Sequence, residues 1–188
     1  MMATSAEAVV IGASAGALEA LSAILPELPE ALRLPILVVV HVPPDRRSIL
    51  AELFQAKCRI PVREAEDKEP IVGGTIYFAP PDYHLLVEAD RCLALSSDEP
   101  VLFSRPSIDV LFESAADTYG PALIAVVLTG ANQDGSAGLR AVMQAGGMAL
   151  VQCPRSALAA AMPEAAIALC PEAEVMSLDQ ITAYLRKA

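Results

Sequence analysis

The chain has 188 residues, of which 54% are hydrophobic and 19% charged, with a formal net charge of −10 and no tryptophan. That length makes one domain with a sizeable core, and the apolar content excludes intrinsic disorder. The negative balance argues against nucleic acid or an acidic membrane surface as the main partner. No apolar run reaches the roughly 20 residues of a membrane span, so no membrane insertion is expected. The N-terminal MMATSAEAVV lacks the basic start and long apolar stretch of a signal peptide. Cys58, Cys92, Cys153 and Cys170 show no CxxC spacing, and only His41 and His84 accompany them. No zinc pattern can be drawn, no metal is expected, and the thiols read as reduced in a cytoplasmic protein.

In chain order, the apolar run over 8–11 stops at Gly12. Ala13, Ser14, Ala15 and Gly16 follow, and Ala17, Leu18, Ala20 and Leu21 open a helical pattern. This predicts a buried strand, a tight turn and a helix to about residue 25, closed by Pro26 and Pro29. Small neighbours leave the Ser14 hydroxyl exposed, and the helix aims free N–H groups and its positive dipole end at that turn. A serine so placed is either a nucleophile or one ligand to a bound anion.

The uncharged, β-branched run over 35–40 predicts a central parallel strand ending directly in His41. Ser48 is expected to cap a helix through Gln55, with Ile49, Leu50, Leu53 and Phe54 on one face. A short strand is expected within 59–67. Segments 75–78, 84–88 and 91–95 then read as a small antiparallel meander. Ser107 is expected to cap a helix carrying Ile108, Leu111, Phe112, Ala115 and Tyr119 at helical spacing. A second long buried strand over 122–128 ends in Thr129, Gly130, Ala131, Asn132, Gln133, Asp134 and Gly135. A helix from Ser136 to about Ala145 follows, stopped by Gly146 and Gly147. A strand over 148–152 and helices over 156–169 and 181–186 complete the chain. The fold class is α/β: a doubly wound, mostly parallel sheet with helices on both faces and one antiparallel β-meander excursion.

Three polar groups fall just beyond the carboxyl ends of three buried strands: Ser14, His41 and Asp134. In an open α/β sheet such ends share one edge, where ligands bind. A hydroxyl needs an imidazole to take its proton, and a carboxylate fixes the imidazole tautomer and stabilises the cation that forms. The helix start after Ser14 and the Gly130–Ala131 turn could supply an oxyanion hole. Each residue also has a purely structural role open to it: Ser14 shaping the turn, His41 satisfied by backbone, Asp134 capping the helix near Ser136. GASAG matches the G-x-S-x-G elbow of α/β-hydrolases, but those enzymes place several strands before the serine and the acid before the histidine. As a dinucleotide fingerprint the stretch lacks a second glycine where Ser14 stands, and as a P-loop it lacks the lysine.

Six segments in order, VVIGASAGALEAL, VVVHVPP, YFAPPDYHLL, SRPSIDVLFESAA, VVLTGANQDGSAGL and MPEAAI, resemble the catalytic domain of the bacterial chemotaxis protein-glutamate methylesterases. The resemblance covers nearly the whole chain from Ala8. It implies hydrolysis of glutamyl methyl esters on chemoreceptor cytoplasmic helices, releasing methanol, with possible glutamine deamidation and no cofactor. By motif, Ser14 resembles the nucleophile, His41 the base and Asp134 the acid. The main-chain N–H groups of Ala15 and Ala131 resemble the oxyanion element, and the resemblance implies that Arg105 and Ser107, in the RPS motif, lie near the substrate. His84 matches a family position without a catalytic role.

Three positions depart from the family pattern. Ala15 stands where threonine or serine is common, Gly16-Ala17 where a glycine pair is expected, and Ala131 where methionine is usual. Most members also carry an N-terminal receiver domain. Here the catalytic strand begins at residue 8, so a single catalytic domain over 1–188 without a receiver is expected: either a stand-alone esterase controlled in another way, as by a separate regulatory protein or domain, or a piece of a longer protein. Three rival readings stand beside this one: an esterase for another methylated protein or a small ester, a receptor-binding module that has lost activity, and an anion or nucleotide site at the Gly12–Gly16 turn.

Overall fold

The chain alternates strands and helices throughout residues 5–188, the residues described by the computed structural model; the first four residues of the stretch read above for a leader lie outside them. The elements are β1 (Ala8–Ala13), α1 (Ala17–Ile24), β2 (Ile36–Val40), α2 (Leu50–Gln55), β3 (Val62–Glu64), β4 (Ile76–Phe78), β5 (His84–Val87) and β6 (Leu93–Ser96). They continue with α3 (Ile108–Tyr119), β7 (Leu123–Val127), α4 (Ser136–Gln144), β8 (Met148–Gln152), α5 (Ala161–Leu169), β9 (Glu174–Met176) and α6 (Leu178–Leu185).

Seven strands form one parallel sheet in the order β3-β4-β2-β1-β7-β8-β9, and β5 and β6 make a separate antiparallel hairpin. The central strands β1, β2 and β7 are buried at every residue, as strands covered on both faces must be. Alternation along them divides two cores. Ala8, Val10, Leu37 and Val39 face α3, α4, α5 and the hairpin, whereas Val9, Ile11, Ile36 and Val38 face α1, α2 and α6. The chain leaves β1 for β2 on one side and later adds β7 on the other, so the sheet's topological switch lies beside β1.

Four local expectations are corrected. Segment 76–78 is no part of a meander: it pairs parallel with β2 and β3, and its burial on both faces is the physical reason. The antiparallel excursion is the two-stranded hairpin alone. Helix α2 begins at Leu50 with Ile49 in the cap position, while the expected cap Ser48 still accepts the Leu50 amide on its hydroxyl at 3.3 Å; only Phe54 of the expected apolar face is buried, stacked on Phe78 at 5.5 Å. Helix α5 starts at Ala161, because Ala159 spends its backbone groups on Thr129 and Gly130 and holds the preceding segment out of the helix. Helix α6 begins earlier than expected, at Leu178, behind a reciprocal capping box of Ser177 and Gln180.

Residues 101–104 form a two-residue hairpin turn, with Val101 and Ser104 exchanging backbone hydrogen bonds of 3.0 and 2.8 Å. Its central residues Leu102 and Phe103 have φ of 47° and 63°, and Phe103 is fully exposed. Paired positive φ favours Asn-Gly, and a bulky residue held there costs roughly 1–2 kcal/mol. Replacing Leu102 by Asn together with Phe103 by Gly is therefore expected to raise the denaturation midpoint in urea.

Candidate active site

The turn after β1 is built around small residues. The Ser14 amide donates to Thr129 O at 2.9 Å, and the Ala17 amide donates back to Ser14 O at 2.9 Å. Gly16 caps α1 with φ +83°, and a Cβ there would sit 2.7 Å from Leu158 Cβ, so both backbone and space require glycine. Ser14 is half-buried and Ala15 exposed. The Thr129 hydroxyl donates to Ala15 O at 2.8 Å and accepts from the Ala159 amide at 2.9 Å, tying the turn to the segment before α5.

His41 continues the β1–β2 ladder. Its amide donates to Ala13 O at 3.2 Å, one step past the Ala13–Val40 pair. Ser14 and His41 therefore occupy neighbouring positions at the sheet edge, about one strand spacing, ~5 Å, apart. His41 Nε2 lies 2.7 Å from Asp134 Oδ2. Because a carboxylate only accepts, Nε2 carries a proton, and in the neutral ring Nδ1 is the nitrogen left to act as base. Among the described residues, Ser14 Oγ makes no hydrogen bond to His41. The structure thus joins His41 to Asp134 directly and places Ser14 beside them; such a contact often tightens only with substrate bound.

Asp134 is wholly buried and accepts five hydrogen bonds. Oδ1 takes Ser107 Oγ and the amides of Asp109 and Gly135, each at 3.0 Å, and Oδ2 takes the Ile108 amide at 2.7 Å besides His41. Burial alone would raise this carboxyl, but the hydrogen bonds from His41, Asp109 and Ile108 outweigh it and hold it below its ordinary value. Asp134 therefore caps α3 from another loop, and Ser107, in the N-cap position, makes no cap bond of its own. The arrangement is reciprocal: Asp109 Oδ1 accepts from the Gly135 and Gly138 amides at 3.0 and 2.7 Å, capping α4. Gly138 permits this approach, since a Cβ there would lie 2.6 Å from Phe112 Cβ and 3.0 Å from Asp109 Cα.

Burial, reinforced by the Asp134 charge, pushes the Asp109 carboxyl up to about 6 against the pull of the Gly138 and Gly135 amides. A group raised above its unfolded value of about 3.9 contributes stability that is full below that pH and is lost as pH rises through about 6. Asn keeps the acceptor for both glycine amides without the charge. Asp109→Asn should match the wild type near pH 4 and exceed it at pH 7, by on the order of 2 kcal/mol, in denaturant titrations at the two pH values.

Ala131 is exposed at the turn before Asp134, and neither its N–H nor that of Ala15 has a hydrogen-bond partner among the described residues. Arg105 lines a cleft of about 360 Å³ that also contains His41, Val42 and Phe103. Its guanidinium is largely committed, to Asp82 Oδ1 at 2.6 and 3.1 Å and to the carbonyls of Ser97 and Asp98 at 2.9 and 3.0 Å. Ser107, expected near the substrate, is instead fully buried against Asp134. A roomier cavity of about 610 Å³, walled by Leu102, Asp109, Ser136 and Leu169, lies behind the Asp134 turn and contains neither Ser14 nor His41.

Sequence reasoning gives Thr129, His84 and Asp109 no part in the site. Thr129 has a signal, since it lies one residue beyond the end of β7, after Leu128, at the same sheet edge. Asp109 has one too, as an acid in the first turn of α3. The partners of all three come from segments distant in the chain. Among the described residues no helix is long and apolar enough to cross a membrane, and no cluster of three His, Cys, Asp or Glu is placed to hold a metal ion.

The sequence model of one family, described as CheB methylesterase, matches residues 9–185. A putative protein-glutamate methylesterase/protein-glutamine glutaminase of Leptospira interrogans is 46% identical over 175 residues, covering 93% of this chain and 91% of that protein. Protein-glutamate methylesterase/protein-glutamine glutaminase 1 of Rhodospirillum rubrum is 36% identical over 96% of this chain, which spans 48% of the relative's length. The crystal structure of the Thermotoga maritima CheB methylesterase catalytic domain superposes with a TM-score of 0.93 at 32% identity, covering 98% of this chain and 99% of that one.

Proposed function

The chain belongs to the CheB methylesterase family, and from that membership we propose that it hydrolyses glutamyl methyl esters on the cytoplasmic helices of chemoreceptors, yielding glutamate and methanol. Ser14 Oγ attacks the ester carbonyl while His41 Nδ1 takes its proton, and Asp134 stabilises the imidazolium through Nε2. The oxyanion is received by the N–H groups of Ala15 and Ala131. His41 returns the proton to the departing methoxide, then activates water to release the acyl group from Ser14. The same steps on a glutamine amide release ammonia.

The observation that carries this reading is the 2.7 Å contact between His41 and Asp134 at the strand end next to Ser14. The N–H groups of Ala15 and Ala131, without a partner among the described residues, support it further. The reaction belongs to the cytoplasm, where such helices lie, and its regulator is a separate protein or domain. The Ala15 and Ala131 departures at the exposed rim favour one second reading, an esterase for a different methylated protein. Methanol release from methylated receptor membranes, set beside release from a small glutamate methyl ester, separates the two. Turnover of the small ester alone would reject the receptor as substrate.

A further inference from the structure

His84 is 1% exposed, and the chemistry above gives it no task. Its Nδ1 lies 3.1 Å from the Ser107 amide and its Nε2 3.0 Å from the carbonyl of Glu99. An amide N–H only donates and a carbonyl only accepts. The ring must therefore be neutral, with its proton on Nε2. So held, the imidazole ties both ends of the segment between Glu99 and Ser107. Ser107 in turn donates its hydroxyl to Asp134 Oδ1, and the next two amides donate to the same carboxylate.

We propose that His84 is a positioning residue for the hydrolytic site: it locks the Ser107 amide, and through Ser107 and the start of α3 it sets the rotation of Asp134 that aims Oδ2 at His41. The proposal rests on the esterase reading for its kinetic consequence, but its structural consequence stands apart. Without the imidazole acceptor the buried Ser107 N–H is orphaned, and the start of α3 must shift to find a partner. A displacement of about 1 Å at an acid–base pair typically lowers turnover about 10²-fold.

The test compares His84→Leu, His84→Asn and His84→Gln. Asn places an oxygen near the site of Nδ1 and keeps the Ser107 contact, whereas Gln reaches toward the position of Nε2. Expected is a kcat ten- to a hundredfold lower in His84→Leu at nearly unchanged KM, recovered mostly by Asn and little by Gln. The downfield proton NMR resonance of His41 Nε2–H, read without substrate, should shift in Leu and Gln and return in Asn. A folded His84→Leu with wild-type kcat and an unmoved resonance would overturn the proposal, as would equal behaviour of Asn and Gln. Should His84→Leu not fold, the Asn–Gln comparison decides. If the wild type releases no methanol from any ester, the esterase reading fails, and the His41 resonance alone decides the role of His84.

Discussion

Ser14→Ala is expected to lower kcat for methanol release by at least about 10⁴-fold while leaving the unfolding free energy within about 0.5 kcal/mol of wild type. The first half follows from covalent chemistry: without Oγ there is no acyl-enzyme, and what remains is the residual catalysis of oxyanion donors and bound substrate. The second half follows from geometry. Among the described residues the Ser14 side chain makes no hydrogen bond, while its backbone amide and carbonyl, bonded to Thr129 and Ala17, are unaffected by the change. Methanol assays and urea titrations on the same preparations check both halves. A serine-directed phosphonate should label the wild type once per chain and the variant not at all. Full activity in a folded Ser14→Ala would remove this residue from the mechanism and point to a different nucleophile.

How much of this is legible in the sequence depends on how far apart the interacting groups lie. The central strands can be read because uncharged apolar runs have no other stable home, and β1, β2 and β7 all lie where such runs occur. The shared sheet edge can be read as well: parallel strands force Ser14, His41 and Thr129 to one side whatever the strand order. Capping cannot be read in this way. A serine before an apolar helix reads as its cap, yet the amides of Ile108 and Asp109 go to Asp134 from another loop, and Ser107 becomes a donor to that same carboxylate. The alanine-rich stretch before Ala161 has high helix propensity, but Ala159 bonds to Thr129 and Gly130 instead, so tertiary pairing overrides the local preference. Segment 76–78 has the length and composition of either a hairpin strand or a buried one, and only its neighbours β2 and β3 distinguish the two.

Asp134→Asn should damage catalysis and folding together, unlike Ser14→Ala. The carboxylate receives five donors, three on Oδ1 and two on Oδ2, and an amide can present only one oxygen. With its NH₂ toward His41, the amide meets two donors, the imidazole and the Ile108 N–H. Turned the other way it meets three. At least two buried groups lose their acceptor, at about 1–3 kcal/mol each. To gain a bond from the amide, His41 must move its proton to Nδ1, the nitrogen needed to accept from Ser14; a wrong tautomer of this kind costs about 10⁴ in kcat. Linkage gives a further signature. The native carboxyl sits below its ordinary value, so its stabilisation is present above about pH 4 and is lost as pH falls through the lowered native value. The stability gap between wild type and Asp134→Asn should accordingly shrink below about pH 4; it should also narrow as pH rises through about 6, because the variant loses the Asp134 charge that helps raise Asp109. A variant that loses turnover at wild-type stability would mean that other groups cap α3; one that loses stability yet keeps turnover would mean that His41 finds its orientation without this carboxylate.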